Sequence, residues 1–96
     1  MIQAIPPTYS VEYDNTNINI YHGNRGEGLP KHTHQYAHLT MCHSGSCIIR
    51  KENIEKIVTK DNKPVNLLAN EWHEIEVLED DTVFVNIFAK VSNESY

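Results

Sequence analysis

His32, His34 and His38 stand at even separations, and this spacing ties the centre of the chain to extended structure. Residues two apart on a strand project to one face, so regular pairing would put His32, His34, Tyr36, His38, Thr40 and Cys42 on the same side. Three imidazoles then gather from the period alone. His73 follows 35 residues after His38, enough chain for roughly a hairpin and a return strand at ordinary lengths.

The rest of the chain supports an all-β reading. Helical periodicity is almost absent, and short β-rich runs recur between turn signals. Candidate strands are Val11 to Tyr13, Ile18 to His22, Gln35 to Cys42, Cys47 to Glu52, Ile54 to Thr59, Val65 to Leu68, Trp72 to Leu78 and residues 82–90. The glycine-rich stretch Gly23 to Pro30 reads as a loop leading into a site. In Trp72 to Leu78, His73, Ile75 and Val77 share one face while Trp72, Glu74 and Glu76 share the other, which fixes the inward side. Eight or so short strands fit a small barrel or jelly roll. A hairpin about Ser44-Gly45 would pair the strands on either side, set Cys42 opposite Cys47, and place Cys47, Ile49 and Lys51 facing Thr40 and Cys42 as a pocket wall. Cys42 and Cys47 read first as two reduced thiols filling the interior, with a redox pair as the alternative.

Ninety-six residues make a single domain, 1–96, with a core just large enough for independent stability. A formal charge of −5 argues against a nucleic-acid partner. The longest apolar run, near residues 82–89, is far below the roughly 20 residues a membrane helix needs. The opening MIQAIPPTYS has neither the basic region nor the apolar core of a secretory signal, so the expected compartment is the cytoplasm.

Two segments resemble the cupin family. Residues 26–45 are similar to its first motif, G(X)5HXH(X)3,4E(X)6G, with every spacing kept and His38 where that motif has glutamate. The region 64–77 is similar to the second motif, G(X)5PXG(X)2H(X)3N, in its histidine alone: His73 takes that place, while Leu68, Asn70 and Val77 replace the proline, second glycine and asparagine. Asn is a sensible stand-in for glycine, because it tolerates a left-handed backbone. The resemblance implies a single jelly-roll β-barrel whose metal ligands are His32, His34, His38 and His73, and a homodimer assembled by pairing terminal strands.

One divalent transition ion, Fe, Ni, Zn, Co or Cu, is the expected cofactor. Burying four imidazoles together without a cation would strand ring nitrogens in a low-dielectric interior. Replacing a carboxylate by His38 leaves the ion its full charge and removes its hardest ligand, which disfavours Mn(II). His22 and His43 have the wrong position or parity and read as surface residues. Tyr36 is the candidate catalytic proton donor, set against its role as a packed aromatic, and Lys51 could balance an anionic substrate. One of Glu71, Glu74 and Glu76 could orient an imidazole.

The expected function is a mononuclear metal-dependent enzyme, dioxygenase-like or a metal-assisted lyase, acting on a small organic molecule. The alternative is a non-catalytic module whose ion captures a carboxylate or sugar oxygen, or stabilises the barrel. A metal-free sugar isomerase or epimerase uses fewer imidazoles than converge here.

Overall fold

Alternation inside each strand and left-handed residues between strands build this chain into two sheets. The computed structural model describes residues 1–89. Ten strands run in order: β1 (Gln3–Ala4), β2 (Tyr9–Tyr13), β3 (Thr16–Gly23), β4 (Glu27–His32), β5 (His38–Ser44), β6 (Ser46–Lys51), β7 (Ile54–Thr59), β8 (Val65–Leu67), β9 (His73–Val77) and β10 (Thr82–Ala89). One sheet has the order β1-β4-β9-β6-β7 and the other β2-β3-β10-β5-β8. They pack face to face as an open jelly roll, without hydrogen-bonded closure into a continuous barrel. Among the described residues no helix is long and apolar enough to cross a membrane.

The turns follow local chemistry. Asp14 and Asn15 both take positive φ, 48° and 63°, the geometry of a tight two-residue hairpin turn between β2 and β3. Asn53 does the same between β6 and β7. Asn70, with φ of 65°, adopts the left-handed backbone anticipated for the glycine it replaces.

Three expectations are corrected. The stretch 23–30 is not a plain loop: from Glu27 onward it forms β4, hydrogen-bonded to β9 on one side and to β1 on the other. A Cβ on Gly28 would fall 2.0 Å from the Ile75 carbonyl oxygen, so glycine here marks close approach of two strands rather than a turn. The segment 32–42 is not one strand. β4 ends at His32, β5 begins at His38, and the two belong to different sheets, so residues 33–37 cross between layers and cannot stay in either ladder. The expected hairpin about Ser44-Gly45 is likewise a crossing: β5 pairs with β10 and β8, and β6 pairs with β7 and β9. Gly45 sits at φ of 79° against Thr82, where a Cβ would meet Thr82 Oγ1 at 2.2 Å.

The interior has a gradient. Registers stack Cys47 beside Val77, then Ile49 beside Ile75, then Lys51 beside His73. On the facing sheet Cys42 lies beside Phe84 and Thr40 beside Asn86, with His38 one step further along β5. One end is therefore apolar, with Tyr21 stacked on Phe84 at 4.7 Å, and polarity rises toward the other end. Cys42, Cys47 and Ile49 belong to the core cluster with Val58, Val77 and Phe84. Both cysteines are free. Burial raises the Cys42 thiol and pushes Cys47 up to about 12, so both stay protonated and unreactive.

Candidate metal centre

Each of the four histidines comes from a different local cause. Pro30 cannot donate to a ladder, and the β4–β9 register shifts between Leu29 and His32, a bulge that places His32 opposite His73. His34 hangs from the crossing segment, whose position is tied by Asn70 N–H donating to the His34 carbonyl at 2.8 Å. His38 opens β5 facing inward, and His73 opens β9 in the parity that buries Ile75 and Val77. His73 and His38 are buried, at 0% and 4% exposure, while His32 and His34 are half-buried and face the open end.

The structure brings these rings together. Ring centroids of His32, His34 and His73 lie 4.4 to 5.2 Å apart, and His38 lies 5.0 Å from His34 and 5.2 Å from His73. Among the described residues, one ligand nitrogen each from His32, His34 and His73 falls within 4.8 Å of the others. His38 stands against this trio, with its Nε2 3.4 Å from Nε2 of His73. His22 and His43 are exposed and outside the cluster.

Hydrogen bonds fix the tautomers. A carbonyl oxygen only accepts, so Nδ1–H of His32 donates to Pro30 at 2.7 Å, that of His34 to Tyr36 at 2.7 Å, and that of His73 to Glu71 at 3.2 Å. Thr40 uses its hydroxyl proton on Asn86 Oδ1 at 2.6 Å and therefore accepts from His38 Nδ1 at 3.0 Å. All four Nδ1 atoms are donors, and all four Nε2 atoms carry lone pairs. This outer layer is the arrangement that orients imidazoles for a cation. It includes Asn86, whose only sequence signal was a polar break in an apolar strand, and three main-chain carbonyls, which leave no signal. The expected glutamate orienter is replaced by the Glu71 carbonyl; the Glu71 carboxylate instead accepts from Lys51 at 3.4 Å. Glu74 and Glu76 sit on the outer face with Arg50, at 2.9 Å each.

The donor set fits a cation. Every buried side-chain nitrogen or oxygen among the described residues has a partner, but for Nε2 of His38 and His73 that partner is the other ring's lone pair. Two acceptors at 3.4 Å repel unless a positive charge lies between them. A proton is disfavoured as that charge. Burial, then the neighbouring His73 and His34, pushes His38 down to about 4. Burial, then His32 and His34, pushes His73 down to about 4 as well. His34 is lowered in the same direction, chiefly by burial. His34, His38 and His73 are thereby held toward the neutral form that a metal requires.

Tyr36 packs between two rings. Its ring stacks on His34 at 4.2 Å and on Phe88 at 4.6 Å, and its carbonyl holds His34. This makes it a positioning residue. Tyr36→Phe should leave metal content unchanged, and Tyr36→Ala should lower metal affinity by about 10-fold, read by competitive chelator titration. Loss of turnover in Tyr36→Phe at full metal content would instead assign its hydroxyl to the chemistry.

Comparison with known proteins places this geometry. No family model and no curated protein matches the sequence. Solved structures do match. A cupin protein from Bacteroides fragilis superposes with a TM-score of 0.69 at 19% identity, over 92% of this chain and 82% of that one. The chain has the cupin fold. KdgF from Halomonas superposes with a TM-score of 0.76 at 13% identity, over 90% and 80%. Oxalate decarboxylase of Bacillus subtilis, a protein with Mn(II) centres, superposes with a TM-score of 0.72 at 18% identity over 81% of this chain and 22% of the decarboxylase. At these identities the likeness concerns the fold. Within it, this chain has histidine at position 38 and three histidines arranged to hold an ion.

Proposed function

We propose that this cupin is a mononuclear metal-dependent enzyme acting on a small, oxygen-bearing organic anion, with His32, His34, His38 and His73 holding one divalent transition ion. The observation that carries this reading is the set of four Nδ1–H groups committed elsewhere, which leaves four Nε2 lone pairs for one cation. When bound, the ion supplies Lewis acidity for chemistry of the dioxygenase or lyase type. Four neutral ligands leave its positive charge uncompensated, which favours an anionic substrate. Lys51 adds to that preference. It is the cross-strand neighbour of His73 on the inward face of β6, and its ammonium is held near Glu71.

One observation favours a second reading, a non-catalytic ligand-binding module: His32 and His34 are only half-buried, so the cluster meets solvent with little enclosure. Elemental analysis of untagged protein should find close to one transition ion per chain. Azide added to the cobalt-substituted form should then change the visible spectrum, because an enzyme keeps a coordination position open. An ion whose spectrum ignores azide supports the structural or binding role, and absence of any bound ion under metal-replete conditions overturns both.

A further inference from the structure

One row of the inward face joins the histidine cluster to a cation. Register aligns His32, His73, Lys51 and Ile54 side by side on β4, β9, β6 and β7. Residues opposed in this way lie about 4.5 to 5.5 Å apart at Cα and project from the same face of their sheet. Two of the clustered imidazoles are thus followed directly by an ammonium. Lys51 is unusual for a lysine, because its side chain is only 16% exposed. Among the described residues Glu71 is the one carboxylate within ion-pair distance of it.

That pair is loose. Lys51 Nζ meets Glu71 Oε1 at 3.4 Å, and the same oxygen accepts from the Leu68 N–H at 3.4 Å. On the outward face one position away, Arg50 holds Glu74 and Glu76 at 2.9 Å each, the length expected of charge-assisted bonds. An ammonium offers three donors, and one long bond to a shared oxygen leaves it poorly satisfied. Glu71 also sits where it can leave. Its side chain is 29% exposed in the turn between β8 and β9, and it is its main-chain carbonyl that holds His73. The Asn70 bond to the His34 carbonyl is likewise main-chain. The carboxylate can therefore swing toward solvent while both imidazoles keep their orientation.

We propose that Glu71 holds the place of a second anionic group of the substrate, so that the site takes a short dicarboxylic acid, one carboxylate toward the histidine cluster and the other on Lys51. This rests on the metal reading above and narrows it. A monoanion directed to the cluster leaves Lys51 with Glu71 and gains nothing from the ammonium. A dianion exchanges one carboxylate for another on Lys51, a like-for-like replacement whose gain is the shorter contact. Glu71 then returns to solvent, and the second charge of the acid is neutralised inside the site. The acid is short because the row ends at once: the neighbour beyond Lys51 is Ile54, apolar and 51% exposed.

Isothermal titration calorimetry of the zinc-loaded full chain tests it, with succinate and succinamate as probes that match in size and differ in one carboxylate. Succinate should bind about 10-fold more tightly than succinamate. Lys51→Met, which keeps most of the volume of the stem, should remove that advantage. Glu71→Gln should raise succinate affinity about 10-fold and leave succinamate where it was. Lys31→Met removes an exposed ammonium that lies over the Trp72 ring beside Arg50 and Glu74, and it should change neither affinity. Equal affinity for the two probes at full zinc content overturns the proposal alone. A succinate advantage that survives Lys51→Met does the same, since chelation at the ion then explains it. An equal loss in Lys31→Met also overturns it, by making the preference an effect of overall charge. Failure to take up zinc overturns the metal reading and this proposal together. Should Lys51→Met fail to fold, Glu71→Gln decides, and unchanged or weaker succinate binding in that variant overturns the assignment.

Discussion

Changing His73 to alanine is expected to lower affinity for a divalent transition ion by about 10³-fold, the share of one ligand in a site whose total binding free energy is on the order of 10 to 16 kcal/mol. His73 is the position to choose because its ring is the hub of the cluster, 4.4 Å from His32, 4.8 Å from His34 and 5.2 Å from His38. It is also fully buried, so the variant leaves a cavity beside Ile75 and loses stability for a reason unrelated to metal. His32→Ala separates the two effects. His32 ends β4 half-exposed, and its removal should cost the ion while the thermal midpoint of the metal-free protein barely moves. His38→Ala then decides whether the site uses three rings or four. Loss of affinity comparable to the other variants makes His38 a ligand, and wild-type affinity makes it a buried neighbour. Metal content at the wild-type level in both His32→Ala and His73→Ala would end the metal-centre reading.

The fold was readable from the chain to the extent that parity and turn chemistry decide it. His73, Ile75 and Val77 face inward, Trp72, Glu74 and Glu76 do not, and Asn70 takes the left-handed conformation assigned to it. What local pattern could not supply was which strands are neighbours. A hairpin and a sheet-to-sheet crossing use the same residues at Ser44-Gly45, and only the approach of Thr82, 37 positions away in the chain, makes the crossing the better solution. The same ambiguity ran the end of the crossing segment into β5 as one strand, Gln35 to Cys42. The imidazoles nevertheless converge as the even spacing suggested, though by another route: His32 arrives by a bulge, His34 from a crossing segment and His38 from the opposite sheet. Spacing of the histidines was informative because the family resemblance constrains the end point rather than the path. The tautomer-fixing carbonyls of Pro30, Tyr36 and Glu71 were invisible, since every residue carries a carbonyl and only the fold says which one is free to accept.

Acid should destabilise the metal-free protein on the way from about pH 6.5 to pH 4. His38 and His73 are held down to about 4, chiefly by burial, whereas in the unfolded chain each would titrate near 6.5. The unfolded state therefore binds more protons throughout the interval between those values, and unfolding becomes more favourable as pH falls. The stabilisation is fully present above about pH 6.5 and is lost on descent toward pH 4, on the order of 3 kcal/mol for either ring alone. The two losses do not sum, since part of each shift reflects the other histidines of the cluster. For a chain of this size a loss of about 3 kcal/mol corresponds to a fall in thermal midpoint of roughly 10 to 20 °C, measurable by melting in chelator at half-unit steps of pH. His38→Leu, which removes one titrating ring and fills its place with apolar volume, should flatten the acid limb. Bound metal should flatten it further, because a coordinated Nε2 cannot take a proton until the ion leaves, so the pH at which stability collapses becomes a readout of metal affinity. A melting temperature that stays level from pH 6.5 to 4.5 in the metal-free protein would mean that the rings are not buried as a neutral cluster, and the argument that a cation belongs among them would fall with it.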